Sequence, residues 1–196
     1  MARWAPGSKG RLEEAALELF SERGFEETTV ADIAARAGLT KRTFFRYFAD
    51  KREVLFAGSQ ILEDTMIKGV LDAPAEASPL DAVAAGLDAS AAVFERIPDR
   101  AGRRQALVDA HPELQERERA KLARLSGAVA AALRERGVAE PAAGLAADAG
   151  MSILRVAFER WASDPQGQDL RELLRDSLAE LRSVTASRAA RAPRRR

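Results

Sequence analysis

Residues 28–56 read TTVADIAARAGLTKRTFFRYFADKREVLF, and the fold is read outward from this stretch. Thr29 with Asp32 three residues later has the form of a capping box, so a helix is expected to start at Val30. It should stop at Gly38, which lacks a Cβ and can take the positive φ of a sharp turn. Thr40 can cap a second helix that runs through Phe48. Two helices joined by a short turn containing glycine, here Gly38-Leu39-Thr40, form a helix-turn-helix. Within the second helix Phe44 and Phe48 are four apart and share the inward face. Lys41, Arg42, Phe45 and Arg46 then project outward, flanked by Thr43 and Tyr47.

The flanks are helical as well. Leu12, Ala15, Ala16, Leu19 and Phe20 repeat with helical spacing, so residues 8 to 23 read as an amphipathic helix ended by Gly24. Asp50 with Glu53 repeats the cap pattern and predicts one long helix after Asp50, with Leu55, Ser59, Leu62, Met66 and Val70 on one face. Beyond it, Pro79, Pro112 and Pro141 each stand where a first helical turn would begin, with amphipathic spacing behind them. Asp164-Pro165-Gln166-Gly167 is a turn before a last helix, and a short helix is expected near residues 99 to 110. No run of alternating β-branched residues suggests a strand. The fold class is therefore all-α. Six of eight phenylalanines lie within the first 56 residues, which suits a small head with little interior volume. The expected division is a head at 8–54, a helical body at 55–186 and a disordered basic tail at 187–196.

Charge points to a partner for the head. Residues 36 to 52 carry six cations (Arg36, Lys41, Arg42, Arg46, Lys51, Arg52) against Asp50 alone, whereas residues 57 to 182 carry 16 basic and 21 acidic side chains. A local basic patch on a mildly acidic body is the footprint of a polyanion site. Charge alone would equally suit a solvated face; the turn and the inward Phe44 and Phe48 favour DNA. Arg and Lys can read guanine edges or clamp phosphates, and Thr and Phe can touch a thymine methyl. Tyr47 and Lys51 are better placed for the sugar-phosphate backbone, and Thr29 serves both as a cap and as a phosphate contact. Arg36 reads as a surface charge. The candidate DNA-binding set is Thr29, Thr40, Lys41, Arg42, Thr43, Phe45, Arg46, Tyr47 and Lys51.

Other chemistries find little support. With no cysteine there is no disulfide, thiolate zinc site or thiol catalysis, and the single histidine, His111, makes no triad or metal cluster. No phosphate-binding loop, Gly-rich dinucleotide turn or nucleophile motif occurs, so an enzyme is not expected, and neither a cofactor nor a metal. An adaptor without DNA binding would have no need of the outward Lys41, Arg42 and Arg46. No apolar run approaches the roughly 20 residues that span a bilayer, so no membrane partner and a cytoplasmic location are expected.

The stretch from Leu12 to Phe56 also resembles the head of the TetR family of bacterial regulators. Thr29, Ile33-Ala34, Ala37-Gly38, Phe45, Tyr47-Phe48, Lys51 and Leu55 match its pattern, with Phe45 where the family often has tyrosine. The resemblance implies about nine helices, the first three as head. It implies a homodimer through the last two long helices, about 141 to 162 and 168 to 186, a palindromic double-stranded operator, and repression relieved by a small-molecule effector. Ala142, Ala143, Ala146, Ala147 and Ala149 are the expected close-approach surface of the dimer. Leu62, Met66, Phe94, Phe158 and Trp161, large side chains in an alanine-rich body, are the candidate ligand-binding residues, set against a reading as ordinary core.

Overall fold

The computed structural model describes residues 7–94, 98–164 and 167–186; the tail expected at 187–196 lies outside them. Among the described residues there are nine α-helices, one 3-10 turn and no strand. Helices α1 (Ser8–Arg23), α2 (Val30–Arg36) and α3 (Lys41–Tyr47) make the head. Helix α1 buries Leu12, Ala15, Ala16, Leu19 and Phe20, the face its spacing predicts, and stops where Gly24 takes φ 88°.

The segment after Asp50 departs from the expected single helix. The Asp50 carboxylate does accept the Glu53 amide at 2.9 Å. What it opens, however, is a 3-10 turn, Glu53–Phe56, and helix α4 starts only at Ser59 (Ser59–Leu71). The reason lies in three consecutive buried side chains, Val54, Leu55 and Phe56. On an α-helix they would spread over about 200°, wider than one buried stripe. The tighter turn, with Gly58 after it as the N-cap of α4, lets all three enter the core before the chain leaves for the body.

The body comprises α4, α5 (Pro79–Phe94), α6 (Pro98–Ala110), α7 (Pro112–Glu135), α8 (Ala142–Ser163) and α9 (Leu170–Thr185). Prolines open α5, α6 and α7, where their missing N–H costs no helical hydrogen bond. Met66, Val70, Val83, Leu87, Val129, Leu133, Leu154, Trp161 and Leu173 form the core. Glycine sets its tightest point. A Cβ on Gly69 would fall 2.7 Å from the Gly86 Cα, and one on Gly86 would fall 2.7 Å from the Met66 carbonyl oxygen. Helices α4 and α5 therefore touch backbone to backbone, with Val83 pressed against Gly150 of α8 beside them. Ala143, Ala146 and Ala147 belong to this core. They lie inside the protomer rather than on the close-approach surface expected of them, because their side of α8 packs into the core of its own chain. Ala142 is exposed and Ala149 half-buried.

Head and body are not separate cores. Val108 of α6 and Leu114 of α7, both essentially inaccessible, pack in one cluster with Phe20, Phe25, Phe44 and Phe56 of the head. The Phe25 ring lies 5.1 Å from the His111 ring at the α6–α7 corner, and His111 Nδ1 is 2.8 Å from the Leu107 carbonyl. That is a corner-forming role for the histidine.

Candidate nucleic-acid interface

The turn between α2 and α3 is built by short-range chemistry. Thr29 accepts the Asp32 amide at 3.2 Å while the Asp32 carboxylate accepts the Thr29 amide at 3.0 Å and its hydroxyl at 2.5 Å. Those bonds, the hydroxyl's foremost, hold the Asp32 carboxyl below its ordinary range. At the other end of α2 the Gly38 amide bonds the Ala35 carbonyl at 3.0 Å and the Leu39 amide bonds that of Ala34 at 2.8 Å. This is the paired closure of a helix whose next residue is left-handed, and Gly38 sits at φ 65°. Thr40 then caps α3 by accepting the Thr43 amide at 3.1 Å. The turn thus fixes where α3 points before any body contact is made.

Phe44 and Phe48 are buried with rings 5.4 Å apart, anchoring α3 from beneath. Its outer face is as the spacing predicts. Phe45 is 56% exposed and Tyr47 38%. Lys41 and Arg42 are exposed, and among the described residues neither has an ion-pair partner. Thr40, Arg42, Thr43, Phe45 and Arg46 line one shallow concavity. Arg46 donates to the Tyr47 hydroxyl at 3.1 Å, with its guanidinium carbon 4.9 Å from the centre of that ring. Arg36, the cation read as a surface charge, is paired with Glu18 at 3.1 Å and Glu22 at 2.7 Å and faces α1.

Lys51 differs from its expected role at a phosphate. Its ammonium donates to the carbonyls of Phe25 at 2.8 Å, Glu26 at 3.0 Å and Thr28 at 3.2 Å, and lies 4.5 Å from the centre of the Phe25 ring. An ammonium has three N–H donors, and all three are taken. Lys51 ties down the chain between α1 and α2. Within the run of cations, nothing local separates it from its outward neighbours.

A further set of residues, unforeseen in the sequence, fixes the head on the body. Arg117 reaches Asp50 at 3.1 Å and Glu53 at 2.6 Å, and Lys121 reaches Glu53 at 2.7 Å. Arg52 meets Glu113 at 3.2 Å, Arg100 meets Glu13 at 2.7 Å and Arg103 meets Glu14 at 2.8 Å. Arg104 donates to the Leu55 carbonyl at 3.0 Å and lies over the Phe56 ring at 4.9 Å. Burial would raise the Glu53 carboxyl, but the hydrogen bonds from Lys121 and Arg117 outweigh it and hold the group below its ordinary range.

Of the candidate ligand residues, the structure brings three aromatics together: Phe94 and Phe158 at 4.9 Å, Phe158 and Trp161 at 5.8 Å. Trp161 and Met66 are buried core residues, Met66 at the glycine crossing of α4 and α5, while Leu62, Phe94 and Phe158 are partly buried against that core.

Comparison with known proteins agrees with this layout. Residues 12–57 match the family model described as "Bacterial regulatory proteins, tetR family", and residues 77–186 match that of the "MftR C-terminal domain". The chain is 36% identical over 92 residues to the HTH-type transcriptional regulator TcmR of Streptomyces glaucescens, covering 47% of this chain and 39% of that one. It is 34% identical over 105 residues to MftR of Mycobacterium tuberculosis, covering 53% of this chain and 52% of that one. It thus spans about half, or less, of the length of these two relatives. Thermus thermophilus FadR, a transcriptional repressor solved with lauroyl-CoA, superposes with a TM-score of 0.54 at 28% identity over 94% of this chain and 98% of its own. A glycine-turned helix pair with a cationic outer face explains the first match, and the second spans more than half of the sequence; the chain belongs to the TetR family of bacterial transcriptional regulators.

Proposed function

We propose that this regulator is a repressor that binds a palindromic operator as a dimer, in the cytoplasm, and releases it when a small molecule enters the body. The observation that carries the DNA reading is the outer face of α3. Lys41 and Arg42 stand exposed, without counter-ions among the described residues, beside Thr43 and Phe45, on a helix held rigidly from below by Phe44 and Phe48. Cations left unpaired on a fixed helix face suit the edge and phosphate chemistry of a major groove. Thr29 and Thr40 contribute as caps whose backbone surroundings approach the phosphates.

One α3 is too short to read a full site, so two copies are needed. Leu145, Ala149, Ser152 and Val156 line up along α8 at helical spacing, and Leu145 (67%), Val156 (40%) and Val184 of α9 (69%) are exposed apolar side chains. A two-fold pairing of α8 and α9 would cover them. For the effector, the half-buried Leu62, Phe94 and Phe158 beside Met66 and Trp161 favour an apolar or amphipathic molecule. The lauroyl-CoA complex of Thermus FadR supports an acyl thioester as the class to try first.

The test is selection of bound fragments from genomic bacterial DNA, and then titration of the complex with lauroyl-CoA. The expected fragments share an inverted repeat with half-sites roughly 34–36 Å apart or a multiple of that. Failure to enrich any duplex would overturn the DNA reading. A monomer on bound DNA in sedimentation would overturn the dimer, and full affinity in saturating lauroyl-CoA would remove the acyl thioester.

A further inference from the structure

The outward cations of α3 are not equivalent. Lys41 and Arg42 stand in its first turn and have no ion-pair partner among the described residues, whereas Arg46 stands in its last turn and is held. Its Nη2 donates to the Tyr47 hydroxyl at 3.1 Å, and the guanidinium carbon lies 4.9 Å from the ring centre. A hydrogen bond and a cation–π contact from one neighbour restrict a side chain that would otherwise sample many rotamers. Phe45, between them in sequence, is the more exposed ring and lines one concavity with Thr40, Arg42, Thr43 and Arg46 itself, so the two groups differ in restraint and in place along the helix.

We infer that Arg46 and Tyr47 act together as a phosphate clamp, and that base discrimination by α3 rests on Arg42, Thr43 and Phe45. This rests on the DNA reading proposed above and deepens it. The chemistry of the pair is suited to an anion. The Tyr47 oxygen accepts from Arg46, which leaves its own proton to donate. Arg46 has five N–H donors and spends one on the hydroxyl, leaving a fork that matches two phosphate oxygens. The hydroxyl proton and the fork can thus converge on one phosphate. Position agrees with this: residues at the start of a recognition helix meet base edges, and those at its end lie nearer the strand backbone. Held against Tyr47, Arg46 has less freedom to extend to a base edge than an unrestrained arginine.

The experiment selects preferred duplexes from a random-sequence library with the wild-type chain, with R46A, with Y47F, with the R46A/Y47F double variant and with R42A. Each protein is then titrated against the wild-type duplex and a scrambled one over a range of salt. For Arg46→Ala the clamp predicts an unchanged preferred sequence and the same fold-loss on both duplexes. The slope of log affinity on log salt should shrink by about one. Tyr47→Phe should lower affinity for both duplexes equally, and the double substitution should lose less than the product of the two single losses. Arg42→Ala should change the preferred base at one position or more. A base change selected by R46A, or an operator loss larger than the scrambled loss, overturns the clamp while the DNA reading stands. Multiplying losses in the double variant overturn the pairing of the two residues. No enriched duplex for the wild-type chain overturns both.

Discussion

At Lys51 a surface cation turns out to be a structural one. Its ammonium satisfies the carbonyls of Phe25, Glu26 and Thr28, which no helix would otherwise pair. Replacing it with methionine keeps much of the aliphatic stem over Phe25 but strands these acceptors. Lys51→Met should therefore lower the unfolding free energy by about 1–3 kcal/mol, the range for losing hydrogen bonds to a charged donor. Urea denaturation monitored by circular dichroism would show it. A stability identical to wild type, with weakened DNA binding, would return Lys51 to the phosphates. The sequence placed the cation and could not place its partners, because a lysine's reach spans both solvent and the turn behind it. The caps were legible for the opposite reason. Thr29 with Asp32 and Thr40 with Thr43 are bonded three residues apart, so the chemistry lies within the window being read.

Among the elements, those bounded by local signals were legible and those shaped by distant contacts were not. Gly24 and Gly38 stop their helices, and Pro79 and Pro112 start theirs, at the positions the sequence indicates. The break at Glu53–Phe56 was hidden. The cap at Asp50 is real, but the course of the chain beyond it is decided by the core that Val54, Leu55 and Phe56 enter, and by Arg104 on the Leu55 carbonyl from 49 residues away. The dimer-surface reading failed for three of the five α8 alanines, for a related reason. Small residues mark close approach of a helix without saying to which neighbour, and Ala143, Ala146 and Ala147 approach their own protomer's core. The glycine crossing gives the sharpest prediction at this scale. Gly86→Ala would drive a methyl group to 2.7 Å from the Met66 carbonyl, a backbone atom that cannot swing aside. Parting α4 from α5 should cost about 1–3 kcal/mol by the usual penalty for overpacking. Gly127→Ala, with nothing within 4 Å of the added Cβ, is the control and should be neutral or slightly stabilising. Thermal melts of the two variants decide it, and equal melting points would mean that the crossing has slack.

For the whole molecule, the ion pairs of α6 and α7 with the head should make its attachment sensitive to acid. Glu53 is held below its ordinary carboxyl range, with burial opposed and outweighed by Lys121 and Arg117. A depressed carboxyl contributes stability that is fully present above the unfolded-state value, near 4.5, and is lost as pH falls through the lower folded-state value. Glu53→Gln should therefore be less stable than wild type at pH 7, and the two melting curves should converge as the pH falls below 4.5 and through the lowered folded-state value. A gap that persists undiminished in acid would mean that the charge of Glu53 is not what matters. The shared core adds a second expectation. An isolated head, residues 8 to 57, lacks Val108 and Leu114, which close the cluster around Phe25 and Phe56. Circular dichroism should show it largely unfolded; a cooperative melt would show that the head closes without them.

The closing of that core by Val108 and Leu114 bears on how the protein comes into being. The helices of the proposed DNA face are synthesised before those of the body, yet the cluster beneath them stays open until the chain has grown past the α6–α7 corner. A nascent chain still short of that corner has its α2–α3 turn encoded and the outward side chains of α3 present, without a firm base under them. Ribosome-bound or prematurely ended products of this length would then be poor competitors for the operator. Synthesis itself would keep half-made regulators off the promoter, with no chaperone needed to mask them.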